Sequence, residues 1–304
     1  MSQQVSVQIQ AVLYQNDKIE LTRALDAAKA AAKVAWEKGI QVSLLWGDAS
    51  PEGIYSEEEW GQIQRKYAAF QKIEYRWFGE NTGYGKGNNL LGLNATTDYL
   101  LVMNPEILLS PRTIVDLLAP FADPQVGLVE ARQIPVEHPK GFDLQTKETE
   151  WASGACFMIP TALYQELEGF DTETFFMYCE DVDFSWRVRL AGKKLYYQTQ
   201  AGVFHARRLS DTGEYKPSLT EAKYALLTEL LLSYKWGYPE FAQKQLQMAL
   251  DRGDFGSQEA AEEFARREAE GRLPKMQDPE HKIAKITQNE RHGGVYFTTQ
   301  RYIL

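Results

Sequence analysis

Short apolar blocks alternate with longer amphipathic stretches through the first two-thirds of the chain. Val5 to Leu13 reads as a strand, and residues 17 to 38 form an alanine-rich helical pattern that stops before Gly39. Gln41 to Trp46 is a second strand, running into Gly47-Asp48-Ala49-Ser50-Pro51. A charged helix over residues 57 to 69 and a third strand, Lys72 to Phe78, follow. Asn81 to Asn88 reads as a glycine-rich turn leading into a short helix, and Asp98 to Met103 as a fourth strand ending at Asn104-Pro105-Glu106. Strands and helices in this alternation predict βαβ units and a mostly parallel sheet, an α/β fold. Ligands of such sheets gather at the carboxyl ends of the strands, where Tyr14-Gln15-Asn16, Asp48-Ala49-Ser50, Asn81 and Asn104-Pro105-Glu106 all fall.

Beyond about residue 207 the texture changes. Residues 219 to 250 predict one or two amphipathic helices carrying Tyr224, Leu227, Leu231 and Tyr234, and residues 257 to 272 a charged helix. The last thirty or so residues read as polar and irregular until Gly294-Val295-Tyr296-Phe297. The expected division is a domain over 1–206 and a helical extension over 207–304. Leu227, Leu230, Leu231, Tyr234 and Trp236 are expected to lie against the first domain.

The most concentrated chemistry follows an aromatic run. Thr174-Phe175-Phe176-Met177-Tyr178-Cys179 precedes Glu180-Asp181-Val182-Asp183, and Val182, Trp186 and Leu190 recur at helical spacing before Gly192. Glu180 and Asp181 therefore stand at a helix N-terminus, which favours negative charge. They either cap the helix or are chemically employed, whereas Asp183 is expected to pair with Arg187 one turn on. Asn104-Pro105-Glu106 offers oxygen-bearing side chains in a rigid geometry suited to a hard divalent cation, or is a plain turn. His205 ends an apolar strand with Arg207 and Arg208 beyond it, facing a diphosphate or solvent. Trp151 beside Ser153-Gly154 is either a sugar platform or packing. His138, His281 and His292 read as surface residues.

The chain has 304 residues, 44% hydrophobic and 12% aromatic, enough for a substantial core. A net charge of -9 argues against general nucleic-acid binding. Cys156 and Cys179 lie in apolar stretches as small buried hydrophobes, consistent with a reducing compartment. No secretory signal or membrane-spanning run is read, so the expected location is cytoplasmic, with peripheral contact at the inner membrane face left open.

Together these motifs resemble the inverting family-2 glycosyltransferases of the GT-A fold, closest to the rhamnosyltransferase-like branch. The resemblance spans about residues 5 to 210. It runs in order through Asp48-Ala49-Ser50, Asn81 to Asn89, Tyr99 to Glu106, Trp151 to Ala155, Gly169-Phe170-Asp171, Phe175 to Asp183, Arg187, Ala191-Gly192 and His205. It implies a GT-A catalytic domain that uses a nucleoside-diphosphate sugar (a UDP- or dTDP-sugar) and a divalent cation, Mg²⁺ or Mn²⁺. The acceptor would be a glycan or lipid-linked molecule. By resemblance Asp181 is the catalytic base with Glu180 beside it. Tyr14, Asn16, Asp48, Ser50, Asn81, Gly83, Lys86, Asn88 and Asn104 would contact the nucleotide sugar. Glu106 and His205 would contact the metal, and Trp151 and Gly154 would border the acceptor. Glu106 stands where the family usually has Asp. The C-terminal helices would shape the acceptor side, pair subunits in a homodimer or touch the membrane surface. Two rival readings are a non-catalytic nucleotide-sugar-binding scaffold and an NAD-dependent oxidoreductase. The second is disfavoured because the first strand leads into Tyr14-Gln15-Asn16 instead of a glycine loop.

Overall fold

The computed structural model describes residues 4–135, 141–205, 219–253, 255–289 and 294–296. Alternation along β1 (Ser6–Leu13) sorts its side chains between two faces of a sheet. Val7, Ile9, Ala11 and Leu13 meet α1 (Lys18–Glu37) in one core cluster. The small side chains of Ala24, Ala28, Ala31 and Ala35 let that helix lie close, and the Asp17 carboxylate caps it by accepting the Ile19 and Glu20 N–H groups. Gln8 and Gln10 point to the opposite face. β2 (Gln41–Asp48) continues past its expected end at Trp46, and α2 (Glu57–Lys66) opens with a capping box between Ser56 and Glu59. β3 (Lys72–Trp77) then completes the edge.

The glycine run departs from expectation. α3 (Gly83–Gly92) begins inside it, so Gly85 and Gly87 are helical rather than part of a preceding turn. A side chain on Gly87 would collide with Val12 at 2.6 Å, so the glycine lets the helix seat on β1. Beneath α3, the Gln8 amide donates to the Leu91 carbonyl, and the Gln10 amide donates to the Asn88 side chain at 3.0 Å.

After β4 (Tyr99–Met103) come elements with no counterpart in the sequence reading: β5 (Leu108–Leu109), α4 (Thr113–Leu118) and β6 (Val126–Ile134). Next are β7 (Cys156–Pro160), α5 (Thr161–Glu166), α6 (Glu180–Leu190) and β8 (Lys194–Phe204). The eight strands lie in the order β3-β2-β1-β4-β7-β6-β8-β5. β3, β2, β1 and β4 are parallel; β7 is antiparallel to both its neighbours; β6 and β8 are parallel; β5 is antiparallel to β8. The expected α/β architecture is thus a mixed sheet flanked by helices. The carboxyl ends of β1 to β4, β6 and β8 meet on one rim, with the start of β7 set among them.

α7 (Leu219–Lys235), α8 (Pro239–Arg252) and α9 (Phe255–Ala269) follow. Leu227, Leu230, Leu231 and Trp236 are buried against Trp151, Phe175, Val182 and Trp186, with Tyr234 partly buried beside them. These five residues do lie against the α6 side of the sheet domain. The irregular tail is corrected in one respect: β9 (Thr287–Asn289) pairs antiparallel with β10 (Gly294–Tyr296). The expected boundary at 206/207, and with it Arg207, Arg208, His138 and His292, lies outside the described residues. His281 is exposed, its ring tilted against that of Tyr238. Among the described residues, no helix is long and apolar enough to cross a membrane.

Candidate active site

The aromatic run before α6 delivers two carboxylates through a constrained backbone. Tyr178 and Cys179 both take left-handed conformations, with φ of 73° and 62°, which side chains of this size rarely adopt. Cys179 gives the helix no side-chain cap, so the acids of the first turn face its free N–H groups. Asp181 Oδ1 accepts from the Val182 N–H at 2.8 Å, and Oδ2 accepts from the Gly154 N–H at 2.8 Å. Glu180 is buried, with no hydrogen-bond partner for Oε2. Burial first, then the charge of Asp181, pushes its carboxyl up to about 8. At neutral pH the Glu180 carboxyl therefore favours its protonated, uncharged form.

Gly154 is where the site closes up. Its carbonyl accepts from the Tyr84 hydroxyl at 2.5 Å while its N–H holds Asp181. A Cβ at this position would stand 3.1 Å from the Tyr84 oxygen and 3.2 Å from Asp181 Cβ. The neighbouring Ser153 N–H donates to the buried Glu130 carboxylate at 3.0 Å. The next residue, Ala155, accepts the Asn104 N–H at 2.8 Å. Two consecutive residues of one turn thus tie the candidate base to the end of β4.

That strand end carries the second corner. Glu106 Oε1 lies 3.0 Å from His205 Nε2, and the Asn104 amide approaches the same oxygen at 3.5 Å. Burial pushes the Glu106 carboxyl up, but the His205 contact and its own backbone N–H outweigh this and hold it below the usual range. Glu106 and His205, distant in sequence, are brought together as a hydrogen-bonded pair. Bonds of about 2.1 Å in an octahedral shell set neighbouring ligand atoms about 3.0 Å apart, which is the separation seen here. Among the described residues no three or more His, Cys, Asp or Glu are grouped so that they could hold a metal ion. The donor set fits a cation held by a carboxylate and an imidazole that leaves its other positions for diphosphate oxygens and water.

The ends of β1 and β2 form a third corner. The Gln15 N–H donates to Ser50 Oγ, and Asn16 accepts the Tyr14 N–H, leaving the Tyr14 ring 47% exposed on the rim. Asp48 is fully buried and accepts from the Ser50 and Ile54 N–H groups and the Tyr75 hydroxyl. It fastens the 50–54 loop, so its carboxylate is not presented openly to a ligand. Asn81 caps the start of α3 by accepting the Gly83 N–H, and exposed Lys86 pairs with Glu80. Gly83 (φ 66°) lies under the Phe176 carbonyl.

Two expected contacts are corrected. Asn88 has no exposed surface: it accepts from Gln10 and donates to the Tyr84 carbonyl, inside the helix–sheet interface. Trp151 is 7% exposed within the cluster formed with α7, so its ring is a core group and not an open platform. The sequence assigns no role to Tyr84, Glu130, Gln133 or Lys235, because single polar residues at strand ends and on helices carry no local signal.

Asp183 pairs with Arg187 at 2.9 Å, as the helical spacing predicts. Its other oxygen takes Lys235 at 2.6 Å and the Trp236 indole N–H at 2.9 Å. Lys235 also reaches Asp171 at 2.7 Å, and Arg187 donates to the Leu167 and Gly169 carbonyls. The network is buried and satisfied, and it joins α7 to α6.

A mixed sheet whose carboxyl rim carries these three corners is the GT-A glycosyltransferase fold. Among solved structures the chain is similar to GalNAc-T7 with UDP, GalNAc and Mn²⁺ (TM-score 0.60, 13% identity, 89% of this chain and 56% of that one). It is also similar to the mannosyltransferase PcManGT from Pyrobaculum calidifontis in complex with GDP-Man and Mn²⁺ (TM-score 0.55, 16% identity, 86% of this chain and 75% of that one). In sequence it is 27% identical to rhamnosyltransferase WbbL of Escherichia coli K12, over 48% of this chain and 66% of that protein. It is 28% identical to the low-salt glycan biosynthesis hexosyltransferase Agl10 of Haloferax volcanii, over 41% of this chain and 49% of that protein. The resemblance to family-2, rhamnosyltransferase-like GT-A proteins thus holds in both sequence and fold, while the matches span about half to two-thirds of those relatives' length. No protein-family model matches the chain.

Proposed function

We propose that the protein is an inverting glycosyltransferase that moves a sugar from a nucleoside-diphosphate donor to a hydroxyl of a glycan or lipid-linked acceptor. The observation that carries this reading is the Gly154-Ala155 turn, which links Asp181 to the strand end holding Asn104 and Glu106. A single displacement needs a base on one side of the anomeric carbon and charge neutralisation on the other.

Asp181 accepts the proton of the acceptor hydroxyl as its oxygen bonds to the anomeric carbon. The bond from that carbon to the diphosphate oxygen breaks, and the electron pair leaves with the nucleoside diphosphate. Backbone donors at Gly154 and Val182 hold Asp181 oriented for this role. A divalent cation, when bound, neutralises the leaving diphosphate, and Glu106, His205 and Asn104 are the residues that would hold it. Tyr14 and the Ser50 loop form the base and ribose side. The helices from residue 219 onward, proposed as an extension of a catalytic unit ending near 206, bound the acceptor side through α6 and α7.

A panel of UDP-, dTDP- and GDP-sugars with Mn²⁺ or Mg²⁺, read by product NMR, tests the reading. Asp181→Asn is expected to lower turnover by about 10²- to 10⁴-fold while nucleotide binding and fold persist. Product with the donor's own anomeric configuration rules out inversion. Donor binding without turnover for any acceptor favours the scaffold reading, in which Glu106 and His205 close on each other as a structural pair.

A further inference from the structure

The imidazole of His205 has two partners, and only one of them belongs to the corner already described. Nδ1 lies 2.8 Å from Gln133 Oε1. Gln133 is 3% exposed and His205 6%, so this contact is internal and shielded from water. It arises from the strand register. β6 and β8 slip between Ala131 and Arg132, whose partners are Gln198 and Gly202, and after the slip Gln133 stands level with Val203. Two residues beyond Val203 on the same face comes His205, within reach of the Gln133 amide. The His205 N–H also donates to the Ile134 carbonyl, which fixes the backbone at the same point.

We propose that Gln133 is a positioning residue for the cation corner, resting on the reading that a divalent cation binds there. Its Oε1 accepts the Nδ1 proton and so turns the bare Nε2 lone pair toward Glu106 and the ion between them. A neutral imidazole carries one proton, so engaging it at Nδ1 leaves Nε2 as an acceptor. With no ion present the 3.0 Å contact between His205 Nε2 and the Glu106 carboxylate is a hydrogen bond. A bound cation would take the place of the proton in that hydrogen bond, with the carboxylate and the imidazole as two adjacent ligands. Gln133 thereby selects the tautomer able to ligate, and holds the ring plane, while itself remaining outside the ion's reach.

The test measures Mn²⁺ binding to the full chain, by electron paramagnetic resonance or calorimetry, without sugar donor. Gln133→Leu is expected to weaken Mn²⁺ about 10- to 100-fold, and Gln133→Glu, which keeps an acceptor at Nδ1, to restore affinity to near the parent's. Equal affinity in the parent and Gln133→Leu overturns the inference and leaves the cation reading standing. Equal loss in both variants also overturns it, since the residue would then act by packing. Absence of Mn²⁺ binding by the parent, with or without nucleoside diphosphate, removes the cation reading itself. The ¹⁵N shifts of His205 in the Mg²⁺-loaded parent protein, at about pH 8, above the ordinary histidine range, need no variant at all. Nδ1 protonated and Nε2 bare is the expected state; a proton on Nε2 refutes it.

Discussion

Glu180 and Asp181 are neighbours in the chain but differ in what surrounds their oxygens. Asp181 takes two backbone N–H groups, whereas Glu180 Oε2 takes none, and its carboxyl is raised from 4.5 to about 8 by burial and by Asp181. A carboxyl raised on folding contributes stability that is complete below its unfolded value and is lost as pH rises through its folded one. The protein is therefore expected to lose stability between about pH 4.5 and about pH 8 on account of Glu180. Glu180→Gln should flatten that decline, melting higher than the parent at pH 9 and close to it at pH 5. Parallel melting curves across that range would remove the assignment. At Gly154 the prediction concerns rate. A methyl group there presses on Tyr84 and Asp181, so Gly154→Ala is expected to cost about a hundredfold in kcat with a small change in melting temperature. Unaltered kcat would mean that Asp181 is not the group being positioned.

At the scale of elements, α6 was legible because each of its signals is local. Val182 and Trp186 repeat at helical spacing, Asp183 meets Arg187 one turn on, and Gly192 (φ 78°) lies just past its end. α3 departs from its local signal: glycines usually mark turns, whereas Gly85 and Gly87 are helical residues that allow close seating against Phe170 and Val12. β6 left no clear mark, since its partners β7 and β8 lie far along the chain and supply all of its ladder. The Asp183 network yields an element-scale prediction. Asp183→Asn leaves Lys235 and Arg187 buried with a lost counter-charge and should destabilise by about 3–5 kcal/mol in denaturant titration. Loss of turnover at unchanged stability would instead place Asp183 in the chemistry.

For the whole molecule, the helices from residue 219 share one buried cluster with α6. Lys235 sits between Asp171 and Asp183, and Trp236 meets Trp186 edge-on at 5.3 Å between ring centres. Ending the chain before residue 219 would uncover Phe175, Val182 and Trp186 and remove Lys235 from Asp171 and Asp183, leaving Asp183 with Arg187 alone. The shortened protein is expected to aggregate or to lose its cooperative melting transition; a soluble, cooperatively melting product would refute this.

Periodicity, caps and turn chemistry are settled by neighbours a few residues apart. The strands from β1 to β4, the polar rim at their ends and the Glu180-Asp181 helix mouth could therefore be read before any fold was known. The motif order carried the class of protein for the same reason. Burial and cross-strand register depend on contacts between residues about a hundred apart, as between Glu106 and His205. The closure of that pair, the hold of Gln133 on the histidine, the withdrawal of Asn88 and Trp151 into the interior and the insertion of Lys235 follow from how the sheet and helices assemble. No local pattern encodes them, because each partner's position is fixed by a different element.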